Sequence, residues 1–191
     1  MIKNTEKEKM ERAARAAKAA RIGDRAVSIV GVLLALILLL FGTYSIWDNV
    51  RITQSAFIDP DLLKYKPSVD DPKGFDLEGL QKINKDVKAW LTVDDTHIDY
   101  PVVYGESNLK YINTDIYGNF SLPGSIFLDA QNTPDFSDQY CMVFGHHMDN
   151  GAMFGDVLNF VNADYFNSHR TGTLYLRDRY LSVFRQTGLI R

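Results

Sequence analysis

Cysteine is almost absent from this sequence, because its 191 residues include a single one, Cys141. One cysteine cannot close an internal disulfide, so a folded domain has to rely on packing unless the thiol itself has a use. No internal repeat occurs, and the only low-complexity stretch is an Ala-rich run over residues 10–25. With 24% charged and 46% hydrophobic residues, the composition excludes a disordered chain and suits one globular domain with an appendage.

Charged residues are missing altogether between Ala26 and Trp47, a stretch of 22 residues. At ~1.5 Å per helical residue this stretch would span ~33 Å, which is enough to cross a bilayer. No side of the helix would carry a polar face, which argues against a helix of a soluble domain. A signal peptide is the competing interpretation, but its apolar core is usually ~7–15 residues long and ends at small residues. The greater length therefore favours an uncleaved transmembrane helix over residues 26–47.

Basic residues predominate in front of this apolar stretch. Residues 1–25 carry eight Lys or Arg against four acidic residues. Because positive charge stays on the cytoplasmic side, we expect a cytoplasmic N-terminus, a single-pass anchor in the cell membrane and an extracytoplasmic domain. A nucleic-acid-binding arm would also be basic, but the segment lacks interleaved aromatic residues. Residues 48–191 contain 13 basic and 20 acidic residues, and this acidic balance argues against nucleic acid as a partner.

The chain after the apolar stretch divides into a polar linker and a strand-rich domain. Residues 48–75 are interrupted by proline and glycine, which predicts an extracytoplasmic stalk with room for one short helix. A helical stretch follows, with Leu77, Leu80 and Ile83 on one face, and it passes into a strand at residues 89–93. Short segments rich in β-branched and aromatic residues predict further strands within residues 97–105, 124–130, 140–146 and 172–184.

Apolar residues at helical spacing over residues 153–169 predict a short helix between the last two of these segments. The overall prediction is a mostly β, mostly antiparallel domain with one or two short helices. This pattern favours a barrel or a sandwich.

Two adjacent histidines, His146 and His147, follow one of the predicted strands and precede a polar turn. A histidine at the end of a strand is well placed for catalysis, since loops above a rigid sheet present side chains to a substrate. The alternative is that both are simply polar residues that close a strand. A zinc site would need three or four ligands, and His97 and His169 do not fall at ligand spacing with the pair, so we expect no metal.

A thiol enzyme needs its cysteine within hydrogen-bond reach of an imidazole. Along one strand, the five residues from Cys141 to His146 would span roughly 17 Å at ~3.3 Å each. The odd spacing would also turn the two side chains to opposite faces. We therefore predict that Cys141 does not pair with His146 and packs as a small buried hydrophobe.

Three segments, taken together, resemble class B sortases. "INKDVKAWLTVDDTHIDYPVV" at residues 83–103 is similar to the opening of the family's domain. "GSIFLDAQN" at residues 124–132 is similar to its next strand, and "MVFGHHMDNGAMFGDVLNF" at residues 142–160 is similar to its Tyr/Phe-Gly-His-x-Met block. The elements follow the family's order over about residues 76–176, which makes a chance match implausible.

Sortases are membrane-anchored transpeptidases of Gram-positive type bacteria, so the resemblance implies an eight-stranded β-barrel and no cofactor. Their cysteine cleaves the C-terminal sorting signal of a surface protein and forms a thioacyl intermediate. An amine of a cell-wall precursor or of a pilin then resolves this intermediate. By position, the resemblance makes His146 the catalytic histidine, while His147 stands where the family commonly has Asn.

The resemblance fails towards the C-terminus. The family's nucleophile lies in a Thr-Leu-x-Thr-Cys element on a later strand, and the next strand carries an Arg that supports the intermediate. The 191 residues contain neither element, and Arg185 and Arg191 are not assigned the role of that Arg. Residues 76–191 are therefore expected to form a truncated sortase domain, a β-barrel without its last two strands.

Three hypotheses about activity follow from this departure. The first is a sortase that has lost its nucleophile strand, through a frameshift or a premature stop, and has little or no transpeptidase activity. The second is a non-catalytic, membrane-anchored module that still binds sorting signals. The third is complementation by a separately encoded piece that supplies the Cys and Arg strands.

Overall fold

The computed structural model describes residues 2–67 and 74–184. The chain divides into two compact units, Met1–Asn49 and Val50–Arg191. Helix α1, Ile2–Ser55, comprises 54 residues and includes the predicted transmembrane segment, residues 26–47. Within the described ranges it is the one helix long and apolar enough to cross a membrane, by length and composition only.

Four short helices lie in the described part of the second unit. Asp59, Asp76 and Asn162 each stand directly before one of them and accept a backbone N–H of its first turn, which explains where these helices begin. The short helices are a 3₁₀ helix Pro60–Tyr65, α2 Leu77–Ile83, a second 3₁₀ helix Gly155–Val161, and α3 Ala163–Ser168.

In the described part of the chain, six strands form a single sheet in the order β4-β3-β2-β1-β5-β6. Every neighbouring pair is antiparallel except β2 and β3, which are parallel and are joined by the long connection that parallel pairing requires. The strands are β1 Val87–Val93, β2 Asp99–Tyr104, β3 Ile126–Leu128, β4 Val143–Phe144, β5 Thr171–Tyr175 and β6 Tyr180–Phe184.

The sheet is open. Strands β4 and β6 form its two edges, and over the described residues they do not pair with each other, so no barrel is closed. A domain of short strands and short helices is thus confirmed, whereas the barrel is not. The expectation of a mostly β chain is also too simple, because α1 alone contains more residues than the six strands together.

Strand β4 is shorter than the apolar sequence around it predicts. A strand is predicted within residues 140–146, but only Val143–Phe144 pair with β3. The backbone just before β4 bonds partly outside the ladder, since Met142 donates its N–H to the Asn132 side-chain oxygen at 2.9 Å. A side chain from the preceding loop therefore replaces a strand partner at this point.

Two buried clusters cover the two faces of the sheet. Along β3, Ile126 and Leu128 belong to the first cluster and Phe127 to the second, as expected for side chains that alternate between faces. The same alternation separates Val102 from Val103 in β2. Burial on both faces explains why β2 and β3 have nearly continuous apolar sequences.

The segment predicted as a stalk, residues 48–75, contributes to both clusters. Ala56 lies in the first cluster, while Leu62 and Phe75 lie in the second. These side chains therefore pack as part of the second unit. The division of the chain at residues 25, 47 and 75 stays a prediction.

Candidate active site around His146

His146 lies two residues beyond the end of β4 and begins a loop that runs to Gly155. The residue is half-buried, and across the described residues its imidazole makes no hydrogen bond. The prediction that this histidine lies at the end of a strand agrees with its place in the fold, since Gly145 alone separates it from β4. Among the described residues no protein group bonds to the two ring nitrogens of His146, which can therefore contact a bound group.

The loop that follows His146 is closed by hydrogen bonds of its own backbone. Phe154 donates its N–H to the His146 carbonyl at 2.9 Å, and His147 forms an isolated antiparallel bridge with Met153. Gly151 has φ +85°, and a Cβ at this position would lie 2.9 Å from His97 Nδ1. Glycine is therefore required at this turn for both its backbone conformation and the available space.

A buried carboxylate connects this loop to the turn between β1 and β2. Asp156 Oδ2 accepts the backbone N–H of His97 at 2.7 Å and lies 2.9 Å from His97 Nδ1. The Asp156 side chain is 10% exposed and that of His97 is 59% exposed. No local sequence pattern identifies this pair, because its members lie 59 positions apart and meet only in the folded domain.

A tyrosine of β2 reaches the same loop from the other side. The Tyr100 hydroxyl accepts the N–H of Met153 at 2.9 Å and donates to the Ala56 carbonyl at 3.0 Å. Asn150 adds a further contact, because its side-chain amide donates to the Thr53 carbonyl at 3.1 Å. The loop after His146 is thus held at several points by groups that are distant in sequence.

An apolar cavity of about 400 Å³ adjoins this arrangement. Its walls include Tyr100, Met153 and Ile126, together with residues 54–60 from the second unit. Part of the wall is therefore made by the same residues that hold the His146 loop.

Cys141 precedes β4 and packs against the first buried cluster. Its Sγ lies 3.8 Å from the Asp138 carbonyl, to which it donates. Burial raises the pKa of the Cys141 thiol, and the negative charges of Asp138 and Asp135 raise it further. A thiol with a raised pKa is a poor nucleophile at neutral pH.

The predicted separation of Cys141 from His146 assumed one continuous strand that contains both residues. This assumption is wrong, because Cys141 lies outside the two-residue strand β4. Cys141 is half-buried rather than fully buried as predicted, although the contacts of its thiol agree with a packing role. They come from the apolar cluster and from the loop carbonyl of Asp138.

The other histidines have separate partners. His147 Nε2 lies 3.7 Å from Asp149 Oδ1, and the His169 ring stacks on Tyr165 with 3.8 Å between ring centres. Among residues 2–67 and 74–184, no group of three or more His, Cys, Asp or Glu side chains is arranged to hold a metal ion. Arg185 and Arg191 lie outside the described residues.

Comparison with known proteins finds no matching family model. Over 96 residues the chain is 38% identical to sortase B of Listeria monocytogenes, a match that covers 50% of this chain and 39% of that protein. It is 28% identical over 151 residues to sortase B of Staphylococcus aureus, which covers 76% and 62% respectively. The chain thus spans only part of the length of these curated relatives.

Among solved structures, the fold is similar to the crystal structure of a class B sortase of Streptococcus pyogenes that is involved in pilus biogenesis. The identity is 40%, the TM-score is 0.55, and the match covers 62% of this chain and 71% of that one.

Proposed function

The chain belongs to the class B sortases, and we propose that its second unit carries the histidine of a sortase-type cysteine transpeptidase site. His146 is the catalytic histidine of this proposal. The observation that carries it is the half-buried His146 imidazole, which begins the loop after β4 and has no internal hydrogen-bond partner among the described residues. The family-like block at residues 142–160 supports the assignment.

The proposed substrates are surface proteins with a C-terminal sorting signal, and the proposed acceptor is an amine of a cell-wall precursor or of a pilin. The Streptococcus pyogenes relative, which is involved in pilus biogenesis, supports a substrate of this kind. Helix α1 would anchor the protein in the cell membrane with the N-terminus inside, and its length and composition support this role.

The chemistry of a transpeptidase defines what His146 would do. A cysteine sulfur attacks the carbonyl carbon of the scissile peptide, and the C–N bond breaks as the imidazolium gives its proton to the leaving amine. The acceptor amine then attacks the thioester, the C–S bond breaks, and the amine proton returns to the imidazole. His146 thus acts first as the general acid and then as the general base.

The 191 residues contain one thiol for this reaction, that of Cys141, and its surroundings do not activate it. Burial and nearby carboxylates raise the Cys141 pKa, whereas an active thiol needs a lowered one. We therefore expect the 191-residue chain on its own to show little or no transpeptidation. Closing the sheet into the family's barrel would also take strands that pair with the edges β4 and β6.

The test uses the full 191-residue chain in lipid nanodiscs with two fluorogenic peptides, one of the Leu-Pro-x-Thr-Gly type and one of the Asn-Pro-x-Thr-Asn type. We expect neither peptide to be cleaved. Thiol-dependent cleavage that disappears in His146→Ala but persists in His147→Ala would refute the expected inactivity and would establish the role of His146.

A non-catalytic module that binds sorting signals is the second candidate. This candidate requires a folded domain, and in the described interior no buried side-chain polar atom lacks a hydrogen-bond partner. This candidate predicts that the protein unfolds cooperatively. It also predicts that the protein raises the fluorescence anisotropy of a labelled sorting-signal peptide and does not cleave that peptide. An aggregated protein, or one that leaves the anisotropy unchanged, would count against it.

A further inference from the structure

We propose that Tyr100 is a positioning residue for His146, and that it holds the loop of residues 146–155 against residues 53–56. The inference rests on the proposed role of His146 in the transpeptidase site. Tyr100 does not act on a substrate in this proposal, because both hydrogen bonds of its hydroxyl go to backbone groups, those of Met153 and Ala56.

The hydroxyl of Tyr100 is shared between two backbone groups that lie far apart in sequence. It accepts the N–H of Met153 at 2.9 Å and donates to the carbonyl of Ala56 at 3.0 Å. Tyr100, Met153 and Ala56 are 6%, 3% and 1% exposed. Water therefore cannot easily replace either bond, and loss of the hydroxyl would leave a buried N–H without a partner.

Met153 is the residue through which this restraint reaches His146. Its φ is +55°, a left-handed conformation that is unfavourable for a residue with a side chain. Such a conformation persists only where the surrounding contacts enforce it. The adjacent Phe154 N–H donates to the His146 carbonyl, and Met153 itself forms a bridge with His147. A change in the Met153 backbone is therefore transmitted directly to the two histidines.

A second contact restrains the same loop from the same direction. The Asn150 side chain donates to the Thr53 carbonyl at 3.1 Å and accepts the N–H of Ala152 at 3.1 Å. Thr53 lies in the last turn of α1, and Ala56 directly follows its last residue, Ser55. Asn150 of the His146 loop and Tyr100 of β2 thus bond to the carbonyls of Thr53 and Ala56. These two bonds couple residues 53–56 to the position of His146.

The same strand supplies a matched control. Tyr104, like Tyr100, lies in β2 and has a hydroxyl that donates to one backbone carbonyl, that of Ala130 at 3.2 Å. Ala130 is not part of the His146 loop. Tyr104→Phe therefore removes a comparable hydroxyl from β2 without touching Met153.

The experiment compares Tyr100→Phe, Tyr104→Phe and the parent chain, each as the full 191 residues in nanodiscs. The two readouts are the imidazole NMR resonances of His146, assigned with His146→Gln, and hydrogen exchange at the Met153 amide. We expect Tyr100→Phe to shift or broaden the His146 resonance and to speed Met153 exchange by about tenfold or more. Tyr104→Phe and the remote His169 resonance should match the parent.

The inference is overturned if Tyr100→Phe leaves the His146 resonance and Met153 exchange at parent values, or if Tyr104→Phe changes them equally. If Tyr100→Phe does not fold, Asn150→Ala decides the question, because a parent-like His146 resonance in that variant would also refute the coupling. Binding of a sorting-signal peptide is measured separately on the parent chain. A parent that binds no peptide refutes the proposed function, while the NMR comparison still decides whether Tyr100 positions His146.

Discussion

Replacing Asp156 by alanine should destabilise the second unit mainly through the backbone of His97. Asp156 Oδ2 accepts the His97 backbone N–H at 2.7 Å, and a hydrogen bond to a charged group contributes about 1.5–3 kcal/mol. The ring contact at 2.9 Å adds less than about 1 kcal/mol, because the His97 side chain is 59% exposed. The expected loss is therefore about 1.5–4 kcal/mol, which corresponds to a fall in Tm of roughly 4–12 °C.

The assay follows thermal unfolding by the fluorescence of the fully buried Trp90, in a Trp47→Phe background that removes the second tryptophan. His97→Ala is the matched variant, because it deletes the ring contact and retains the backbone N–H. It should cost less than about 1 kcal/mol. The reasoning fails if His97→Ala lowers Tm as much as Asp156→Ala does, or if Asp156→Ala changes Tm by less than about 2 °C.

Two further predictions concern titratable groups. Burial raises the pKa of Asp86, but hydrogen bonds from Lys110 and Tyr111 outweigh it and hold the pKa below its ordinary value. This stabilisation is complete above the unfolded pKa of about 3.9 and is lost as pH falls through the lower folded pKa. Urea midpoints measured between about pH 5 and pH 2 should therefore fall less steeply with pH in Asp86→Asn than in the parent chain. An equal pH dependence in the two proteins would contradict the lowered pKa of Asp86. Burial and nearby carboxylates raise the pKa of Cys141, so iodoacetamide should alkylate it more slowly in the native protein than in urea at the same pH. An equal or faster rate in the native protein would contradict the raised pKa of this thiol.

Local sequence patterns predicted most of the individual elements. Leu77, Leu80 and Ile83, at helical spacing, lie in α2, and the predicted strand segments overlap the six described strands, although β1 begins two residues earlier than predicted. His146 was identified as a candidate because it follows an apolar run and precedes a polar turn, features that are readable within ten residues. Its catalytic role stays a prediction.

Other features could not be predicted because they depend on contacts between distant residues. The length of β4 is one example, since the Asn132 side chain takes the Met142 N–H that a longer strand would have offered to a neighbour. The strand order of the sheet, with β4 and β6 at its edges, is another example, because strand pairing depends on contacts between residues that are far apart in sequence. The burial of Leu62 in the second cluster is a third example, since nothing in the sequence around it indicates this contact.

By itself the sequence determined the type and approximate position of most helices and strands, that residues 26–47 are long and apolar enough to cross a bilayer, and that one thiol is present. These properties depend on residue type and on spacing over one or two turns, so they are visible without coordinates. Tertiary structure alone decided that Tyr100 bridges Ala56 and Met153, and that Asp156 holds the turn at His97. Such contacts join groups 44 to 59 positions apart, and only the packing of the two sheet faces brings them within hydrogen-bond distance.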